Sequence, residues 1–230
     1  MATDAPIPTN MSPRPMTTNR DILTLAQWLS PAFPVGAFAY SHGLEAAVRA
    51  GWVTSGDDLA AWLADVIAHG SGRNDCILLR AAYAAKDDAA LAAVDATARA
   101  FAASRERQLE QALQGAAFCK TTGAIWGAQG AEYLYPVAVG AAAAELRIDV
   151  TLTAAMYLHA VTSNLISAAQ RLMPLGQTEG QAVLSDLAPL CEEVAQATAA
   201  LGCDDLQSTA FLSDIAAMRH ETLQPRIFRS

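Results

Sequence analysis

The sequence predicts an all-α protein, a single-domain bundle of about ten helices, on three observations. Apolar residues recur at helical spacing, as where Leu59, Trp62, Leu63, Val66 and Ile67 fall at i, i+3, i+4, i+7 and i+8. Val, Ile and Thr seldom alternate with polar residues, and neither Asn-Gly nor Asp-Gly, the tight hairpin turns, occurs. Alanine is the most frequent residue and aromatics make up only 7%, so helix axes can lie close together.

Taken in order, Met1 to Thr18 holds Pro6, Pro8, Pro13 and Pro15 and no apolar period, and reads as a disordered arm, residues 1–18. The helical body then runs over residues 19–223. Asn19 is placed to cap a helix to Leu29, with Asp21 in its first turn. Ser30 to Gly36 must be a loop, because two prolines and a glycine deny it a helix. A short helix is expected over Ser41 to Ala50, with Gly51 just past its end, and Ser55 caps the next, which Gly70 and Gly72 stop. Alanine-rich helices follow over Asn74 to Ala85, Asp87 to Ala102 and Ser104 to Thr121. Gly123 to Tyr135, with three glycines, has no clear pattern.

Pro136 suits the first turn of a helix to Leu146, and Asp149 caps a long helix that Leu172 ends before Pro174 and Gly176. Thr178 and Gln181 have capping-box spacing for a further helix, kinked at Pro189 and ended by Gly202. Phe211, Ile215 and Met218 stripe a final helix from Leu206 to about Leu223. Residues 224–230 form a tail that Pro225 opens.

The balance of 15 basic against 23 acidic residues gives a net charge of −8, with a pI of about 4.9. Nucleic acid is thereby excluded as the main partner, since phosphate binding needs an excess of Lys and Arg. A chain that is 53% apolar and 17% charged is no disordered protein. The longest apolar stretch, Val150 to Met173, is interrupted by His159, Ser163, Asn164, Gln170 and Arg171, so a buried central helix is expected and no membrane span. Cys76, Cys119, Cys191 and Cys203 form no Cys-x-x-Cys pair, and Met1 to Thr18 has no apolar core of a secretory signal. Reduced thiols and a cytoplasmic location are the expectation.

The search for catalytic chemistry is mostly negative. There is no phosphate-binding G-x-x-x-x-G-K-[ST], no G-x-G-x-x-G and no H-E-x-x-H, and His42, His69, His159 and His220 are dispersed. Neither a metal site nor a tightly bound cofactor is expected. Ala39-Tyr40-Ser41-His42-Gly43 has the spacing of a nucleophile elbow, which leaves a serine hydrolase-like enzyme using Ser41 as the alternative function. That reading needs a strand before Ser41 and a nearby Asp–His pair; the other is that Ser41 caps the helix after it. The Pro-, Gly- and aromatic-rich segment Phe33 to Glu45 is expected to form a functional surface, with Tyr40, His42 and Glu45 as its polar members. In the tail, Arg226 and Arg229 flank Ile227 and Phe228, with Arg219 and His220 just before. An apolar anchor between arginines is suited to docking. The tail is therefore expected to project, mobile until a partner orders it, the alternative being a tail packed on its own body.

Three segments together resemble the urease accessory proteins of the F type. Ser30 to Glu45, SPAFPVGAFAYSHGLE, is similar to the family's S-P-x-[LF]-P-[IV]-G-[GS]-[FY]-x-[YH]-S-x-G-[LI]-E. Asn164 to Gln181, NLISAAQRLMPLGQTEGQ, is similar to N-x-[VI]-S-A-x-x-R-L-x-P-L-G-Q-[TS]-x-G-Q. Met218 to Ser230, MRHETLQPRIFRS, is close to R-H-E-T-[LQ]-x-x-R-[LI]-F-R-S. The resemblance runs from about Ile22 to Ser230. Ala37 departs from the usual glycine or serine, and Ser104 to Gly115 follows a family S-R-E-…-G pattern only loosely.

The resemblance implies a non-catalytic, helical homodimer that serves nickel incorporation into apo-urease. It would bridge a G-type GTPase and a D-type (in some organisms H-type) accessory protein, with nickel and GTP handled by those partners. The residues it marks as partner-binding are Tyr40, His42, Glu45, Arg171, Arg219, His220, Glu221, Arg226, Phe228 and Arg229.

Overall fold

Five helix starts carry a side-chain cap, at Thr18, Ser55, Asp87, Ser104 and Asp149, and a sixth has Pro136 in its first turn. The computed structural model describes residues 17–127 and 131–230. Ten α-helices run in order among the described residues: α1 Asn19–Trp28, α2 Leu44–Arg49, α3 Gly56–His69, α4 Ser71–Ala84, α5 Asp88–Ala100, α6 Arg105–Trp126, α7 Tyr135–Leu146, α8 Val150–Leu172, α9 Gln177–Ala197 and α10 Phe211–His220. Two 3-10 turns, Ala37–Ala39 and Cys203–Asp205, complete them, and no strand occurs among the described residues. None of these helices is long and apolar enough to cross a membrane. The expected arm, residues 1–18, lies almost wholly outside the described residues.

Ser55, Ser104 and Asp149 cap α3, α6 and α8 through their side chains, as their positions predict. Several boundaries differ. Thr18, not Asn19, caps α1, with Asp21 closing a capping box. Gly72 does not end a helix but lies in the first turn of α4, tight against α3, where a Cβ would meet Ile67 Cα at 2.8 Å. The unclear segment is helical up to Trp126, so α6 outruns its expected end. Gly176, not Thr178, occupies the cap of α9, and that helix passes through Pro189. The last helix starts five residues later than expected. Asn74 binds the main chain of Gln207 in both directions, and Thr209 N–H donates to His69 O, so residues 206–210 are strapped across the α3–α4 junction instead of coiling.

Five aromatics form one spine. Trp28 meets Phe118 edge-on at 5.4 Å; Phe33 and Tyr135 flank Phe118 at 5.6 and 5.7 Å; Tyr157 follows Tyr135 at 5.5 Å. This spine ties the 30–40 loop to α6, α7 and α8. Small residues do the rest. Gly140 of α7 lies so near α4 that a Cβ there would meet Leu79 O at 2.1 Å.

Candidate functional site

The three motif segments, far apart in sequence, converge at one corner made by α2, the start of α6, the end of α8, α10 and the C-terminal tail. Gly43 sets the corner's geometry. It has φ +80°, and a Cβ on it would meet Ala217 N at 2.5 Å, so α2 and α10 touch backbone to backbone. The residue before it, His42, is also left-handed at φ +55°, a conformation uncommon outside glycine, though histidine adopts it more readily than most.

The tail does not project. It folds back onto the body, which overturns the expectation of a mobile extension. Ser41 N–H donates to Ser230 O and Arg229 N–H to Ala39 O, both at 2.9 Å. Phe228 is buried, at 2% exposure. The cause is Glu45, fully enclosed on α2, whose carboxylate accepts the main-chain N–H groups of Ile227 and Phe228 at 2.9–3.0 Å. Pro225 does end the helical run, but the peptide groups after it find a buried acceptor rather than water. Glu45 also meets Arg49 Nη2 at 3.2 Å and His220 Nε2 at 3.4 Å. Burial works to raise the Glu45 carboxyl, but the Phe228 and Ile227 N–H groups and His220 outweigh it and hold it below its ordinary range.

His220, also fully buried, is gripped at its other nitrogen by Glu106, with Nδ1 to Oε2 at 2.7 Å. Glu106 in turn pairs with Arg226 of the tail. One turn further along α6, Glu110 gathers His42 Nε2 at 2.7 Å, Arg107 Nη1 at 2.5 Å, Gln114 Nε2 at 3.0 Å and Ser230 Oγ at 2.5 Å. Burial would raise Glu110, yet Arg107, His42 and Ser230 bring it down to about 2. His42 is lowered by burial first and by Arg107 second. Glu221 caps α6 from outside, accepting Arg105 N–H at 2.8 Å. Arg171 at the end of α8 lies between two rings, 3.7 Å from the Phe38 centroid and 4.2 Å from that of Phe228. A single guanidinium thus joins all three motifs, and burial lowers its pKa.

The ten sequence-marked residues separate by depth. Tyr40, Glu45, His220 and Phe228 are buried, His42, Arg171 and Glu221 half-buried, and Arg219, Arg226 and Arg229 exposed. Tyr40 and Glu45, expected to present polar groups outward, point inward instead. Glu106, Arg107 and Glu110 were not marked, although the Ser104 to Gly115 segment carried the hint. Their i,i+3 and i,i+4 charge pattern reads as a solvated helix face until α10 and the tail cover it.

The requirements of a Ser41 hydrolase are not met. A 3-10 turn, not a strand, leads into Ser41, and the cap of α2 is Gly43. Imidazole–carboxylate pairs lie nearby, but the Ser41 hydroxyl donates to Ser230 O at 2.5 Å and accepts from Glu45 N–H at 3.4 Å. Ser41 lines neither the cavity of about 370 Å³ beside Phe38 and Tyr157 nor that of about 90 Å³ beside Asp75 and Arg107. No cluster of three or more His, Cys, Asp or Glu able to hold a metal occurs among the described residues.

Comparison with known proteins places this corner in context. The family profile of UreF matches residues 53–188. The urease accessory protein UreF of Ruegeria pomeroyi is 52% identical over 213 residues, 93% of this chain and 98% of the relative. Those of Roseobacter denitrificans and Cereibacter sphaeroides are each 51% identical, over 208 and 212 residues, covering 90% and 92% of this chain and 93% and 100% of the relatives. With a matching profile over more than half its length and relatives about half identical over nine-tenths of it, the chain belongs to the UreF family of urease accessory proteins.

Proposed function

We propose that this chain is a non-catalytic scaffold for urease maturation, needed for nickel incorporation into apo-urease. It acts in the cytoplasm as a homodimer and bridges the G-type GTPase and the D-type (H-type) accessory protein. It binds neither nickel nor GTP tightly, and both are handled by those partners. The observation that carries the reading is the convergence of three motifs on a corner whose buried polar groups bind one another and the chain's own tail. Buried charge of this kind costs several kcal/mol to assemble, and here it supports a surface rather than a reaction. Phe38 and Ile227 stand out at 68% and 65% exposure, beside exposed Arg226 and Arg229. Aromatic, aliphatic and arginine side chains are the types that dominate interface energies.

The test is reconstitution. Apo-urease is incubated with nickel, GTP, the GTPase and the D-type protein, with and without this chain, and nickel per active site is measured. Loading should depend on the chain, which should co-purify with both accessory proteins and sediment as a dimer. Equal loading without it would refute the scaffold role, and stoichiometric submicromolar nickel binding to the isolated chain would refute the non-binding role.

A further inference from the structure

Asp75 of α4 is a carboxyl group deep in the body, at 4% exposure, and the groups that touch it are neutral. Gln111 Nε2 donates to its Oδ1 at 3.0 Å, and the Tyr157 hydroxyl to its Oδ2 at 2.9 Å. The guanidinium beside it, Arg107, is 6% exposed and directs Nη1 to Glu110. Two buried carboxyl groups thus stand against one buried guanidinium, an imbalance that favours a bound proton. The same space is faced by Arg107, Glu110 and Gln111 from α6, Tyr157 from α8, His42 from the segment before α2 and Asp214 from α10. Asp214 is held by the Ser208 hydroxyl, Cys76 stands next to Asp75 on α4, and α3 and α5 add the apolar Val66, Ala98 and Phe101.

The proton belongs on Asp75. Burial raises this carboxyl to about 6, with Arg107 working against the rise, whereas Glu110 is held at about 2 and stays charged. His42 is the weaker competitor, since burial and then Arg107 lower its affinity for a proton, and its Nδ1 is enclosed without a partner among the described residues. Water has a route to Asp75 through the cavity of about 90 Å³ that Asp75, Arg107, His42 and Gln111 line together. That space exists because α10 closes it with its small side, Ser213, Asp214 and Ala217. The larger Phe211, Ile215 and Met218 of α10, which read as a core-facing stripe, turn outward at 40–67% exposure.

Arg107 connects this proton to the end of the chain. Its partner Glu110 accepts the Ser230 hydroxyl at 2.5 Å and meets His42 Nε2 at 2.7 Å, and the last carbonyl, Ser230 O, accepts Ser41 N–H. We propose that Asp75 is a proton-operated switch for the C-terminal tail. With the proton on, Arg107 serves Glu110 alone and the tail is held. With the proton off, Arg107 is divided between two carboxylates, Glu110 is repelled by Asp75, and the tail opens more often. This does not rest on the scaffold reading, and either can fail while the other stands.

The test is residue-resolved hydrogen exchange by NMR on the full chain alone, corrected for the intrinsic effect of pH on exchange. Protection of the Ser41 and Arg229 amides, which tie the tail down, should fall about threefold or more between about pH 5 and about pH 7.5. Asp75→Asn cannot ionise and should keep both amides protected across that range. Tyr157→Phe removes a donor to the charged form and should move the midpoint upward by about half a pH unit or more, which answers the question even if Asp75→Asn does not fold. Tail amides that ignore pH while the Asp75 carboxyl carbon titrates overturn the proposal. So does a pH dependence that survives in Asp75→Asn, which would put the titrating group in the Glu45–His220–Glu106 set, or a midpoint unmoved in Tyr157→Phe.

Discussion

The contact of α4 with α7 and the corner that holds the tail are both buried, yet they are built on opposite principles. Between α4 and α7 the contact is apolar: Gly140 meets Leu79 and Ala82 at distances that leave no room for a side chain, and Val139, Ala142 and Ala143 of α7 are buried. At the corner the buried groups are carboxylates, imidazoles and guanidinium groups, tied in pairs such as Glu110 with Arg107 and His220 with Glu45 and Glu106. Close packing fails when an atom is added, whereas a buried ionic cluster fails when one is taken away.

The sharpest way to break this contrast is to delete residues 224–230. Phe228 leaves its pocket, Glu45 loses its N–H donors, Glu106 loses Arg226 and Glu110 loses Ser230. Losing a buried Phe alone costs about 3–5 kcal/mol, which in a domain of this size corresponds to a melting temperature lower by about 10 °C or more. Circular dichroism melting checks this, and a shift under about 2 °C would show the tail to be an ornament.

Replacing Glu110 by Ala should come next, at about 3–5 kcal/mol in urea unfolding, because Arg107 is left buried and unpaired. The same residue sets an acid limit. Its folded pKa of about 2 lies below its ordinary 4.5, so its contribution is whole above pH 4.5 and is lost as pH falls towards 2. Asp75 works in the opposite sense. Burial raises it to about 6 against the donors Tyr157 and Gln111, so stability declines as pH rises from about 4 to 6. Asp75→Asn should flatten that decline and leave the acid limb intact.

On the apolar side, Gly140→Ala should destabilise by about 1–3 kcal/mol through overpacking. Gly202→Ala, where a Cβ meets nothing within 4 Å, should stay within about 0.5 kcal/mol. If the two glycine variants unfold alike, close approach is not what holds α4 to α7. A smaller effect than that of Gly140→Ala is expected at Arg171→Lys. A point charge replaces a plane between Phe38 and Phe228, a loss of about 0.5–1 kcal/mol, readable as a small shift in the same unfolding curves.

Much of the fold was legible along the chain. Ser55, Ser104 and Asp149 capped the helices they preceded, because an N-cap is a local hydrogen bond that needs only neighbours in sequence. The candidate site was legible in membership rather than in depth. Tyr40, Glu45 and Phe228 belong to the corner, but nothing local tells that a charged residue will be roofed by a segment some 180 residues away. The stripe of α10 misled for the same reason. Period 3.6 marks an apolar face without saying which neighbour covers it, and the glycine at position 43 gave α10 a closer partner on its small side.

By itself, then, the amino-acid order determined the all-helical class, several helix starts and family membership. These rest on local hydrogen bonding, on side-chain periodicity and on motif residues in linear order. Only the tertiary structure decided that the tail folds back, that Ser41 donates to the last carbonyl of the chain, and that three motifs share one guanidinium. Those outcomes depend on where buried acceptors meet distant donors. That meeting is set by helix packing around an aromatic spine, which no stretch of sequence contains alone.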